Sequence, residues 1–413
     1  MRRSMMACAV AAGLAASVLA VPAGASTGTD GWQLALTVHA PTTHPASQWL
    51  MMTSISAPSA DDVWTIGAVQ PANDSAPDRP VLEHWNGHVW TQVAMPGSFT
   101  AGDGFQVVAV SSTDVWVFNS SDKAQGRFAE KPMWARWNGR AWTTGSLVVP
   151  ALTAGGFIDI TAAVAIGPDD IWVGGRATSE YFSAQSADEP FLVNYNGKSW
   201  RMYPFPRTAN AISGISALGP ADVWASGSAD SGVNDEVNRL LHWNGRSWQS
   251  IRIPASLNGS PGGADFSDVV AESPHSALVA GLMPWGGRNS GYYIPGVAYW
   301  NGTRWTTTTI PASLAKAEQL TNQLPLIAAV SDGSGGIWMV SQFTSGSDGQ
   351  NPPGQMWHYA HGRWSSVPEP GITGWDTVLA LTSTPGTDEA WAAGYTLKTR
   401  PGSGLVFRYN VSR

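Results

Sequence analysis

An all-β ring of seven four-stranded antiparallel sheets, a seven-bladed β-propeller, is the fold this sequence predicts. Three observations predict it. The word aromatic-Asn-Gly-x-x-Trp recurs at Trp85…Trp90, Trp137…Trp142, Tyr195…Trp200, Trp243…Trp248 and Trp300…Trp305, with a degenerate sixth copy at Tyr359-Ala360-His361-Gly362-Arg363-Trp364. Its spacing of roughly 50–60 residues marks a repeat architecture. A second word, acidic-hydrophobic-Trp, stands at Asp62-Val63-Trp64, Asp114-Val115-Trp116, Asp170-Ile171-Trp172 and Asp222-Val223-Trp224. Weaker copies at Ser276-Ala277-Leu278, Gly336-Ile337-Trp338 and Glu389-Ala390-Trp391 bring the total to seven. Third, the first word starts a seventh time at Tyr409-Asn410, and the chain ends before its Trp. Gly31-Trp32-Gln33 resembles Ser247-Trp248-Gln249, so residues 30–41 are expected to supply the outer strand of the last blade. Such closure protects the sheet edges that an open array would expose.

Each repeat holds four strand signals in order. In residues 105 to 150, Val107–Val110 is a first apolar run, ended by the turn cluster Ser111-Ser112-Thr113-Asp114. Val115–Phe118 is the second and Met133–Trp137 the third, ended by Asn138-Gly139, a strong hairpin signal. Trp142–Val149 is the fourth, ended by Pro150. No window after the N-terminus shows helical periodicity.

Tryptophan serves packing first. An indole buries about 150–250 Å², worth roughly 4–6 kcal/mol gross at about 25 cal/mol per Å², and face-to-face sheets need wide side chains between them. The Asp of the second word is expected to accept backbone N–H bonds at its turn. His84 and His242, each before a strand Trp, read as surface strand residues. Trp49, Phe105, Phe157, Phe266 and Trp375 begin inner strands and suggest a packing ring at the channel mouth.

Composition fits a secreted chain. Residues 1–25 read as a signal peptide: Arg2-Arg3, an apolar run through Val21, then Ala23-Gly24-Ala25 before the cleavage point. Residues 26–413 then form a single propeller domain. Removal of the leader takes the only cysteine, Cys8, and moves the net charge from −7 to −9 by loss of two arginines. No basic run points to nucleic acid, and no other stretch is long and apolar enough to span a membrane. A monomer is expected.

Strand parity separates two faces. Turns 1–2 and 3–4 are short and fall on one face; connections 2–3 and 4–1 vary in length and fall on the other, where binding is expected. The segment from Leu282 to Gly296 reads as a loop carrying Trp285, Arg288, Tyr292 and Tyr293, aromatic planes and a guanidinium suited to sugars. A second loop holds Glu180, Tyr181, Asp188 and Glu189. Asp230, Asn234, Asp235 and Glu236 supply oxygens compatible with calcium, at a spacing that matches no standard calcium loop. No other cofactor, no metal set and no catalytic motif is read. Glu180, Asp188 or Asp235 could in principle supply a carboxylate pair, though no sequence rule pairs them.

The order of these words resembles tectonin-type propeller repeats and is similar to seven-bladed bacterial and fungal lectins carrying Asp-Gly-x-x-Trp after an aromatic strand. Kelch-type propellers of the galactose oxidase superfamily share the layout. The resemblance implies the fold and, through the lectins, glycan binding. Copper chemistry of the galactose oxidase kind needs a Tyr–Cys crosslink, which a mature chain without Cys cannot form. Ser331-Asp332-Gly333-Ser334 approaches a sialidase box but is one residue out of register. The expectation is a secreted, non-catalytic module for glycan or cell-surface polymer; the alternatives are an extracellular protein-interaction scaffold and a carbohydrate-active hydrolase or lyase.

Overall fold

The structure, a computed structural model, describes residues 18–19, 31–39, 49–70, 78–100, 104–122, 132–150, 156–178, 188–206, 211–228, 239–254, 257, 264–285, 292–311, 313–314, 326–341, 355–367, 376–396 and 402–410. Seven antiparallel sheets form the predicted ring. Blade 1 runs Trp49–Ser59, Asp62–Gln70, Arg79–Trp85, Trp90–Val93 from inner to outer strand. Blade 2 runs Phe105–Ser111, Asp114–Asn119, Met133–Trp137, Trp142–Ser146; blade 3 runs Phe157–Gly167, Asp170–Thr178, Asp188–Tyr195, Trp200–Met202; blade 4 runs Ala211–Gly219, Asp222–Ser228, Arg239–Trp243, Trp248–Ile251. Blade 5 runs Asp265–Ser273, Ser276–Trp285, Tyr292–Trp300, Trp305–Thr309, and blade 6 runs Leu326–Ser331, Ile337–Ser341, Gln355–Ala360, Arg363–Val367. Blade 7 takes three strands from the C-terminal end, Asp376–Ser383, Ala390–Thr396 and Ser403–Asn410, and its fourth from the N-terminal side, Gly31–His39. Trp32 pairs with Tyr409 across that closure, their rings 5.5 Å apart. Val18–Leu19, inside the expected leader, adds a short strand beyond Gly31–His39. No helix among the described residues is long and apolar enough to cross a membrane.

The first word builds the hairpin between strands 3 and 4. Its two aromatics are direct partners, as Trp85 with Trp90 and Trp137 with Trp142. In the turn, the Asn side chain accepts two backbone N–H bonds; Asn86 Oδ1 takes those of His88 and Val89 at 3.0 Å each. Gly87 at φ 87° supplies the left-handed residue.

The second word sends its Trp forward. Trp116 meets Tyr195 and Trp200 of blade 3 at 4.9 and 5.6 Å, Trp172 meets Trp243 and Trp248 of blade 4 at 5.3 and 5.2 Å, and Trp338 meets Tyr409 and Trp32 of blade 7 at 4.5 and 5.8 Å. Six blades push an indole toward the aromatic pair of the next, and blade 5 presents Leu278 there instead. Seven apolar clusters fill the seven seams.

Inner-strand side chains also bridge the blades. Thr53 donates to Phe105 O at 3.1 Å, Ser213 to Phe266 O at 2.9 Å, and Thr161 to Ile212 O. Ser56 and Ser216 accept from Ala109 N and Ala271 N, both at 3.0 Å. These contacts hoop the central channel, a cavity of about 550 Å³ lined by the inner strands of all seven blades.

Candidate functional site

Most of the polar residues that the repeat words singled out turn out to be structural. The Asp of the second word does not chiefly cap its turn with backbone bonds, as expected. It reaches across to a side chain on the third strand, which stacks on the word's own Trp. His84 donates to Asp62 at 2.9 Å and lies 4.0 Å above Trp64, with 14° between the rings. His242 repeats this with Asp222 and Trp224 at 2.7 and 4.2 Å, so neither histidine is the surface strand residue expected. Arg136 grips Asp114 with two bonds of 2.7 and 2.9 Å and lies over Trp116. Arg408 reaches Glu389 with one bond of 2.7 Å and lies over Trp391. Asn194 donates to Asp170 at 2.6 Å.

Blade 6 lacks the word's Asp at Gly336, and the near-sialidase box supplies a replacement. Asp332 accepts from His358 at 2.7 Å and from the backbone N–H groups of Ser334 and Gly336 at 2.8 Å each. A Cβ on Gly336 would lie 2.4 Å from Asp332 Oδ2, so the box carboxylate occupies the space the word's own Asp would use. Burial raises its affinity for protons, but these bonds outweigh burial and hold it below the usual carboxylate range.

At the loop-bearing face the structure describes the backbone at both ends of the segment from Leu282 to Gly296. Trp285 does not sit in a loop. The second and third strands of blade 5 continue to it, and it pairs with Tyr292, while Pro284 pairs with Tyr293. Leu282, Met283 and Ile294 are buried within that ladder, which leaves residues 286–291 as the connection. Pro284 and Gly296 both stand inside this ladder without ending it. The side chains of Trp285, Tyr292 and Tyr293, and all of Arg288, Glu180 and Tyr181, lie outside the described residues, as do the calcium-compatible residues 230–236.

Two further features of this face emerge. Arg176 stands between Asp159 and Asp188 at 3.5 and 3.6 Å, with its guanidinium 5.5 Å from the Phe157 ring. Thr178 donates to Asp188 at 2.7 Å. Asp188 is thus an ion-paired strand end and not a free loop acid. Phe105 and Phe266 are buried as the packing ring requires, but Trp49 is 44% exposed and does not join it.

One carboxylate enters the channel. Asp268 of blade 5 accepts the N–H of Ala329 in blade 6 at 2.9 Å and of Val269 at 2.8 Å. It lies so close to blade 4 that a Cβ on Gly214 would come within 2.2 Å of Oδ1. Burial pushes it up to about 7 against the pull of those two N–H groups. Among the described residues no group of three or more His, Cys, Asp or Glu is arranged to hold a metal.

No protein-family model matches this chain, and no curated protein does. Solved structures do. The β-propeller domain of the Trilobed protease from Pyrococcus furiosus aligns with TM-score 0.50 at 7% identity, covering 90% of this chain and 97% of that one. A PL25 ulvan lyase, a polysaccharide lyase, aligns with TM-score 0.50 at 11% identity over 89% of this chain and 94% of that one. The GH74 xyloglucanase from Xanthomonas campestris aligns with TM-score 0.50 at 12% identity over 91% of this chain and 55% of that one. At these identities the likeness is one of fold, shared by a protease domain, a lyase and a glycosidase, and it carries no activity across.

Proposed function

We propose that this chain is a secreted, non-catalytic binding module that recognises glycan or cell-surface polymer through its loop-bearing face. The observation that carries the reading is the separation of the two faces. Turns 1–2 and 3–4 are short throughout, whereas every long connection leaves from the opposite rim of the ring. Variable loops on a rigid frame are the usual carriers of recognition. Trp49, exposed on that rim, and the aromatic register pair Trp285–Tyr292 at the end of the blade 5 hairpin supply residue types suited to stacking on sugar rings.

A glycan array probed with residues 26–413 tests this reading. Binding to one glycan class is expected, with loss in the Trp285→Ala, Tyr292→Ala double variant. Binding that survives the double variant removes this hairpin from the site. Turnover of a polysaccharide panel by the same chain would replace the module with a carbohydrate-active enzyme.

A further inference from the structure

The two blades that depart furthest from the repeat are neighbours, and their departures meet in one seam. In blade 5 the acid, the wedge Trp and the third-strand partner become Ser276, Leu278 and Tyr299. Ser276 bonds Ser273 instead, Oγ to Oγ at 2.7 Å. The inner-strand position held by Val110, Ile166 and Leu218 in blades 2 to 4 carries Glu272. In blade 6 four residues still separate the paired Tyr359 and Trp364, but the ladder runs one pair further, to Ala360 and Arg363, and turns at His361-Gly362, at φ 51° and 74°. His361 is the one non-glycine residue with positive φ among those described.

Leu278 removes volume and Glu272 adds polarity at the same place, and the altered turn at His361-Gly362 borders it. In six seams an indole of the second word, at most 2% exposed, fills this space. Here Leu278 packs toward Tyr359 and Trp364 and leaves a cavity of about 400 Å³. Its walls include Leu278, Tyr299, Tyr359, Glu272, Thr306 and Ser334. The volume falls within the roughly 300–1,000 Å³ of small-molecule sites. The cavity opens beside the short turns, on the rim opposite the long loops.

The chemistry of the walls selects a ligand. Among the described residues no Lys or Arg lines the cavity, and Glu272 would repel an anion. Among the described residues no hydrogen-bond or ion-pair partner meets Glu272, whose proton affinity is raised by burial and by the nearby Asp332 charge. A purely apolar guest would desolvate that carboxylate without pairing it. A pyranose offers one C–H face for an aromatic ring and hydroxyls that donate to a carboxylate. We propose that the seam between blades 5 and 6 binds a neutral sugar residue, its C–H face against the tyrosines and its hydroxyls donating to Glu272. This site is separate from the loop-face reading and does not depend on it.

The test is a calorimetric titration of the chain with cellobiose, maltose, xylobiose and chitobiose, at up to about 20 mM, with tetramethylammonium chloride as a cationic probe. At least one disaccharide is expected to bind, and Glu272→Ala and Leu278→Trp each to weaken it about tenfold or more. Leu278→Trp restores the plug of the other six seams, so its melting temperature is expected to hold or rise, which separates loss of the site from misfolding. Trp285→Ala with Tyr292→Ala leaves this binding intact if the two sites are independent. Failure of all four sugars to bind, binding unchanged in Leu278→Trp, or binding of tetramethylammonium alone would each overturn the proposal.

Discussion

Glu83 stands alone at a position where the other six blades place Ala135, Val193, Leu241, Ala298, Trp357 and Phe407. It is fully buried, and neither carboxylate oxygen has a hydrogen-bond partner. Burial pushes it up to about 7 from 4.5. The folded chain therefore keeps a proton that the unfolded chain releases. That contribution to stability is complete below about pH 4.5 and is lost as pH rises through about 7, on the order of 3 kcal/mol in all. Denaturation of Glu83→Gln across pH 4 to 8 is expected to lack this part of the slope; a slope equal to the parent's would place its origin elsewhere, with Asp268, raised in the same sense, the next group to test. The stacked polar pairs give a second residue-scale expectation. His84→Ala removes one bond to a largely buried Asp62 that keeps its bond from Trp64, so a loss of about 1–3 kcal/mol is expected in urea unfolding.

The Asn-Gly hairpin is the element the sequence displays most openly. Its glycine is required twice over at Gly87, where φ is 87° and a Cβ would sit 2.9 Å from Asp61. Gly87→Ala should cost about 1–3 kcal/mol, read as a lower denaturation midpoint with an unchanged m-value. The wedge between blades belongs to this scale as well. Trp64→Leu recreates in the first seam what Leu278 does in the fifth, and truncating a buried aromatic to a smaller side chain should cost about 2–4 kcal/mol. If that variant melted with the parent, the seams would not depend on their indoles, and the empty fifth seam would need another explanation.

At the scale of the whole molecule, the ring closes because Gly31–His39 completes blade 7, with Leu36 and Val38 fully buried in the seam with blade 1. Deletion of residues 26–45 removes this strand and exposes two neighbouring cores together. A lowered melting temperature across the entire chain is expected; a melting curve matching the intact chain would mean that closure contributes nothing. The hoops of Thr53, Thr161 and Ser213 around the channel couple neighbouring blades, which favours unfolding as one cooperative unit.

Residues close in sequence determined much of this protein without help from tertiary structure. The seven-fold count, the four-strand order, the Asn-Gly turns and the paired aromatics follow from local spacing, because a hairpin brings together residues five apart. The terminal closure was legible for the same reason, as a word split between the two ends. The Asp–His–Trp stacks were not legible, since Asp62 and His84 are 22 residues apart and meet only after two strands pair. Leu278 and the turn at His361, where Ala-His replaces Asn-Gly, were visible as isolated blemishes in the repeat. That they face one another, and enclose a cavity with Glu272, was decided by the direction in which each blade thrusts its indole into the next. That direction is set by the handed packing of sheet on sheet, and no local pattern in the sequence encodes it.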